Sequence, residues 1–468
     1  MTAGFRADAA WEVAVGRLAD ALQAARTRVL ATLLDNGRDW AVVDTAARRA
    51  GVVHVPLPAF FTAAQRRHAL ESAGVDTLCS VPQAGAVGAA LEFGEAGLGL
   101  GWQRLPARAV AMPAGTVKIT FTSGTTGTPK GVCLGAEAMD AVAAGVASAT
   151  DALGIERHLS ALPYAVLLEN IAGLMAPLAR GALCIAPPLA EVGLTGSSSF
   201  DPARLQAACL AHQPHSLILL PQMLRAWSAW LAASGQRAPG SLKLVAVGGA
   251  AVGAPLLAAA RAVGLPAYEG YGLSEGASVQ TLNLPGADHP GSAGRPLPHA
   301  RLRIAADGEI EIGGALQLGY LGSTEPMPAW WPSGDLGTID ADGYLHVSGR
   351  KKQVIVTAYG RNVSPEWVEC ALHGATVRGL PAIAQAVVFG DGEPALSAVL
   401  WPAQAQLPDA ALQAAVDAAN ASLPDYAQVR RWLRSPHPFT AESGLATANG
   451  RPQRDAIARL HDLSRVPA

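Results

Sequence analysis

The chain has 468 residues, half of them hydrophobic and only 15% charged, with a formal net charge of −2. That balance suits a compact protein of two or three domains, excludes long disordered tails, and gives no basic field for nucleic acid. Five scattered cysteines (Cys79, Cys133, Cys184, Cys209, Cys370) with no C-x-x-C pair fit a reduced compartment better than a disulfide framework or a zinc site. Residues 1–11 carry Arg6 and Asp8 and lack the apolar core of a signal peptide. The uncharged run 244–260 is broken by Gly248, Gly249, Gly253 and Pro255. Neither reads as a membrane span, so a soluble, cytoplasmic protein is expected.

In chain order, 28–34 is a short aliphatic strand ending at the turn cluster Asp35-Asn36-Gly37. Residues 40–50 place apolar side chains at helical spacing, 52–57 is a second strand, and 62–74 a second helix capped by Thr62. This alternation predicts a parallel sheet with right-handed crossovers. Residues 117–121, 182–186, 216–220 and 242–247 read as buried central strands. Asp201 and Pro202 open the helix before the third of these. Low-complexity residues 193–199 read as a loop. From about Arg301 the texture becomes β-rich: 301–314 alternates around Asp307-Gly308, and 386–389 with 395–401 flank Gly390-Asp391-Gly392, both hairpin signals. The expected fold class is α/β: a large multi-layer body with parallel sheets and a β-rich section (1–349), then a small mobile α+β domain (350–468).

The strongest local signal is 120–131, TFTSGTTGTPKG. A buried strand runs into a loop of glycines and hydroxyls followed by Lys130. Glycines let backbone amides approach phosphate oxygens, hydroxyls donate further hydrogen bonds, and the lysine supplies a compact cation. It is not the common nucleotide P-loop, because Pro129 stands where that motif needs glycine and Gly131 where it needs Ser or Thr.

That stretch resembles the phosphate loop of the adenylate-forming superfamily, which includes acyl-CoA synthetases, peptide-synthetase adenylation domains and luciferases. Further matches follow in order. Tyr271-Gly272-Leu273-Ser274-Glu275 resembles YGxTE, and Gly334-Asp335 resembles TGD, with Ser in place of Thr in both. Arg350-Lys351-Lys352 and Gly360–Pro365 resemble the family hinge and the loop behind it.

The resemblance implies a role for each matched residue. Thr122, Ser123, Gly124, Thr125, Thr126 and Gly127 would wrap the phosphates of ATP, with Lys130 as a catalytic cation. Gly249 and Ala250 would form the floor near adenine, and Tyr271 would lie against the ring, followed by Gly272. Ser274 would bond the α-phosphate, Glu275 would hold Mg²⁺, Asp335 would accept from the ribose hydroxyls, and Arg350 would sit near ribose and phosphates. Lys352 would be the hinge.

On the acyl side, 162–169 (LPYAVLLE) resembles the long-chain acyl-CoA synthetase segment LPLAHxxE, with Val166 in place of His. Tyr164, Leu167 and Leu168 are the candidate acyl-pocket wall; plain core packing is the competing reading. The family's closing motif ends in a lysine that reaches the carboxylate and α-phosphate, where this chain has Arg451. Arginine keeps the charge but presents a wider fork.

The resulting expectation is ATP-dependent activation of a carboxylic acid, a fatty acid first among candidates, to an acyl-adenylate, followed by transfer to coenzyme A. The alternatives are transfer to an acyl carrier protein or an amine, and a degenerate homologue that binds without turnover.

Overall fold

The computed structural model describes residues 4–82, 89–122, 129–196, 199–323, 325–377, 380–447 and 452–462. Two eight-stranded sheets, built among these residues, form the body. In the first half, aliphatic strands alternate with amphipathic helices, which forces parallel pairing through crossovers. Val29–Leu33 is parallel to Val53–Pro56 on one side and to Thr77–Ser80 on the other, so Ala31 faces both Val55 and Leu78. The intervening helices are Arg38–Arg49 and Ala63–Ser72. Thr62 closes the second with a full capping box to Gln65, the arrangement its sequence foretells. This sheet continues through Thr116–Thr122 and Lys130–Gly135 to Gly319–Tyr320.

The second sheet has a parallel centre of Leu183–Ile185, Arg157–Leu159, Ser216–Leu219, Leu244–Val247 and Ala267–Leu273. Asp201 caps the helix Pro202–His212 by accepting from the Ala203 N–H at 3.0 Å. At the two ends of the expected loop, Leu194–Thr195 pairs with Ser199–Phe200 as a two-stranded ribbon. The short ribbon leaves no hydrophobic periodicity to read in advance.

The β-rich section is a four-stranded antiparallel sheet of Ala300–Ile304, Glu309–Gly314, Trp331–Ile339 and Leu345–Arg350. Past Lys351–Gln353, a three-stranded sheet (Ile383–Phe389, Leu396–Pro402, Val429–Arg434) packs on the helices Pro365–Gly374 and Asp409–Asn420 around its own core of Val368, Leu372, Leu400 and Leu412. The two parts meet where Arg225 donates to the His373 carbonyl at 3.2 Å. Among the described residues no helix is long and apolar enough to cross a membrane, and the five cysteines are free, four of them buried.

Candidate active site

A cleft of about 3080 Å³ runs along the carboxyl ends of the parallel strands, between the body and the C-terminal part. In open α/β sheets this edge gathers loops and their polar groups, which makes it the natural ligand crevice. Five of the candidate residues, Ser123, Gly124, Thr125, Thr126 and Gly127, lie outside the described residues, as does Arg451. The flanks of the first group are defined. Thr122 ends one strand, Lys130 starts the next, and the two face each other in antiparallel register. The chain therefore returns as a strand, and the helix Ala136–Ala149 comes only afterwards. Lys130 therefore opens a strand, not a helix.

Lys130 points over the ring of Tyr320, its Nζ 5.6 Å from the centroid, and the Tyr320 hydroxyl donates to Glu275 Oε1 at 2.8 Å. Tyr320 was not singled out in the sequence. Its position follows from the pairing of Gly319–Tyr320 with the strand that begins at Lys130, a contact across almost two hundred residues that no local pattern announces. Burial, the Glu275 charge and the hydrogen bond to it all hold the Tyr320 phenol protonated well above its usual range.

Glu275 and Ser274 sit in a short helical turn, Ser274–Gly276, at the end of Ala267–Leu273. A bulge between Tyr271 and Gly272 re-aims this segment. A Cβ at Gly272 would collide with the Ser278 carbonyl, so glycine is required there by close backbone approach. On the neighbouring strand end, Gly249 has φ +83°, and with Ala250 it lines the same cleft. Glu275, Ser274, Tyr320 and Thr122 all line the cleft, and the Glu275 carboxylate is the anionic oxygen among them, a hard donor of the kind Mg²⁺ takes.

Asp335 organises the other half. It is 5% exposed, its Oδ2 accepts from the Tyr271 hydroxyl at 2.7 Å, and its Oδ1 pairs with Arg350 Nε at 2.7 Å. Asp335 and Arg350 are register partners on adjacent strands, so the pair is built into the sheet. The Ser333 hydroxyl accepts from the Asp335 N–H at 3.0 Å and donates to the Ile310 carbonyl at 2.6 Å. Burial first, then the Asp335 charge, pushes the Tyr271 phenol well above its ordinary pKa, so it acts as a donor throughout the physiological range. The expected ribose acceptor is thus already engaged by the residue expected against adenine and by the arginine expected near the phosphates.

Glu269, two residues before Tyr271, was also not singled out. Burial lifts its carboxyl to about 7, against hydrogen bonds from the Val252 and Gly253 backbone. At the end of the four-stranded sheet, Lys351 is pinned by Asp307 at 2.6 Å and Glu309 at 2.7 Å, whereas Lys352 beside it is exposed. A Cβ at Gly349 would collide with Ser364 Oγ, the cap of helix Pro365–Gly374, so this glycine is a second place where the two parts approach closely.

On the acyl side, Leu167 and Leu168 line the cleft. Tyr164 does not. It is fully buried, with its ring 5.3 Å from that of Trp40 and its hydroxyl accepting from Ser160 at 2.9 Å. The assignment of Tyr164 to the acyl wall is therefore corrected to core packing: its backbone N–H donates to the buried Asn36 side chain at 2.8 Å and its ring packs on Trp40. Behind the wall runs a π-helix, Glu169–Met175, which has no sequence signature. Glu169 is buried there against His158 Nε2 at 3.3 Å, and desolvation raises its carboxyl pKa.

Residues 11–320 match the AMP-binding enzyme family, and residues 352–462 match the AMP-binding enzyme C-terminal domain. The chain belongs to the AMP-binding enzyme family. It is 35% identical over 248 residues to long-chain-fatty-acid–CoA ligase FadD15 of Mycobacterium bovis, an alignment covering 47% of this chain and 40% of that one. The match thus spans less than half the length of that relative. It is 30% identical over 415 residues to a feruloyl-CoA synthase of an Amycolatopsis species, covering 81% of this chain and 79% of the relative. The fold is shared with anthranilate CoA ligase AuaEII, solved in complex with anthranoyl-AMP, at a TM-score of 0.80 and 18% identity over 97% of this chain and 92% of that one. The o-succinylbenzoate CoA synthetase of Bacillus subtilis, solved with ATP and magnesium ion, has the same fold at a TM-score of 0.73 and 23% identity, over 95% of this chain and 93% of that one.

Proposed function

We propose that this AMP-binding enzyme joins a carboxylic acid to ATP as an acyl-adenylate and then passes the acyl group to the thiol of coenzyme A. A fatty acid is the first candidate substrate. The observation that carries this reading is the convergence of two polar groups, Lys130–Tyr320–Glu275 and Tyr271–Asp335–Arg350, on one cleft that also has an aliphatic wall at Leu167 and Leu168.

In the first step a carboxylate oxygen attacks the α-phosphorus, the bond to the β-phosphate breaks, and pyrophosphate leaves. Lys130 and Arg350 neutralise the phosphate charge, Tyr320 holds Glu275 in place, and Asp335 orients the ribose. Magnesium held through Glu275 would add charge neutralisation on the phosphates. In the second step the thiol attacks the acyl carbon, AMP departs with the anhydride oxygen, and the thiol proton passes to solvent. The proposal includes a division at 349/350, a hinge at Lys352, and Arg451 as the charge delivered to the α-phosphate for the first step.

The test is ATP–pyrophosphate exchange over a panel of fatty, aryl and amino acids, repeated with coenzyme A and with mass spectrometry of the products. Acid-dependent exchange followed by a coenzyme A thioester is expected. Absence of exchange with every acid overturns the reading in favour of a binding protein. A second reading, an aryl acid in place of a fatty acid, has specific support: the feruloyl-CoA synthase aligns over most of both chains. The same panel separates the two, because a fatty acid gains about 0.8 kcal/mol per buried methylene and should improve with chain length.

A further inference from the structure

At the far end of the hairpin that carries Asp335 and Arg350, three side chains turn their donor atoms toward one point. They are His289, Asp340 and His346, with ligand atoms all within 4.8 Å of one another. Asp340 Oδ2 lies 3.2 Å from His289 Nδ1 and 2.9 Å from His346 Nε2. In a tetrahedral or octahedral site with bonds of about 2.0–2.2 Å, neighbouring donors stand roughly 3.0–3.5 Å apart. The two spacings lie close to that range.

The carboxylate is aimed by its surroundings. Asp340 Oδ1 accepts from the Asp342 and Tyr344 N–H groups, at 3.0 and 2.9 Å, which leaves Oδ2 facing both imidazoles. Such an outer hydrogen-bond frame is what orients metal ligands. His289 is placed by a separate device: its backbone N–H donates to the Oδ1 of the fully buried Asn283 at 3.0 Å, and its ring stands edge-on to Tyr344 at 5.2 Å. The His289 and His346 rings are nearly perpendicular, with centroids 5.4 Å apart. The side chains remain 48%, 25% and 34% exposed for His289, Asp340 and His346, so one face is open to water.

We propose that His289, Asp340 and His346 bind a divalent transition-metal ion of the zinc type, with water completing the shell. Two imidazoles and one carboxylate suit zinc, nickel or cobalt better than magnesium or calcium, which prefer all-oxygen shells. The cysteine pattern spoke only against thiolate ligation. The site is separate from the cleft: Asp340 lies five residues along an extended strand from Asp335, roughly 16 Å away. The ion would staple the segment around His289 to the turn between Trp331–Ile339 and Leu345–Arg350, and would stabilise the fold by mass action.

The test uses the full chain stripped with chelator, titrated with Zn²⁺ by calorimetry and with Co²⁺ by visible absorption. Wild type, His346→Ala, Asp340→Asn and His289→Ala/His346→Ala are compared. Asp340→Asn keeps an oxygen for the two backbone amides and serves as the variant least able to disturb the turn. One Zn²⁺ per chain is expected, with a Co²⁺ d–d band, at least ~tenfold weaker binding in each of His346→Ala and Asp340→Asn, and loss of this site in the double variant. Zinc should raise the melting temperature of wild type and not of the double variant. Failure of wild type to bind Zn²⁺ or Co²⁺ overturns the proposal, as does equal binding by the double variant. In either case the trio is only two imidazoles sharing a carboxylate.

Discussion

Asp335→Asn is the sharpest probe of the cleft because it removes one charge and almost no volume. Asp335 is 5% exposed and accepts two short bonds, from the Tyr271 hydroxyl and from Arg350, both at 2.7 Å. Arg350 is 42% exposed on its side chain, so solvent screens its half of the pair, and the loss of stability should be modest, ~1–2 kcal/mol. The functional loss should be larger. A ribose diol bound by a buried carboxylate makes charge-assisted bonds worth ~1.5–3 kcal/mol each, and asparagine would have to turn a donor toward one hydroxyl. A net loss of ~2–4 kcal/mol corresponds to roughly 30- to 1000-fold in kcat/KM for ATP. The assay is ATP–pyrophosphate exchange at varied ATP, with thermal unfolding run in parallel. A kcat/KM within threefold of wild type in a folded variant would refute the placement of ribose at Asp335.

Three further outcomes are expected. Glu275→Gln should keep the Tyr320 hydrogen bond and raise the magnesium concentration needed for half-maximal exchange by about tenfold or more; an unchanged magnesium dependence would remove Glu275 as a ligand. Glu269 binds its proton more tightly in the folded state than in the unfolded chain, so stability should fall as pH rises from the ordinary carboxylate range through about 7. Glu269→Gln should flatten that slope by ~1–3 kcal/mol in urea unfolding between pH 4.5 and 8, and an identical slope would contradict the burial argument. Lys118→Met leaves Asp44 buried without its cation and should cost ~3–5 kcal/mol, whereas Asp44→Asn combined with Lys118→Met should recover part of it; a loss in the double variant equal to the sum of the Lys118→Met and Asp44→Asn losses would show that the pair is not coupled.

Strand and helix positions were legible because they rest on local rules. Thr62 with Gln65, Asp201 with Pro202, and the aliphatic runs of the parallel strands each carry their signal within a few residues. Motif order singled out Gly272 and Asp335, and both line the cleft. Tyr320 was not legible, since only a long-range strand pairing brings its hydroxyl to Glu275. Tyr164 was misread because an apolar run looks the same whether it faces a ligand or a core, and the direction is decided by packing against Trp40 from a distant helix. The π-helix Glu169–Met175 was invisible for a similar reason: its widened turn depends on the buried Glu169–His158 pair and on Gly173, where a Cβ would press on both side chains.

The two halves of the cleft are joined beneath the surface. Lys118 lies in the strand Thr116–Thr122, and its Nζ bonds Asp44 at 2.8 Å and the Asn170 side chain within the π-helix behind Leu167 and Leu168. Asp44 in turn pairs with His54 Nδ1 at 2.6 Å, and His54 Nε2 meets the Thr32 hydroxyl at 2.8 Å on the adjacent strand. Burial disfavours charge on every member, yet Lys118 and His54 together hold the Asp44 carboxyl well below its usual range. A buried, mutually bonded set of this kind adds little net stability over an apolar core, but it tolerates few alternative arrangements. Its geometric consequence is that the strand ending at Thr122 cannot shift along the sheet without moving Asn170, and with it the helix behind Leu167 and Leu168. Lys118 thereby couples the strand end at Thr122 to the wall at Leu167 and Leu168, and under the proposed function the spacing between them is what an in-line attack on the α-phosphorus would depend on.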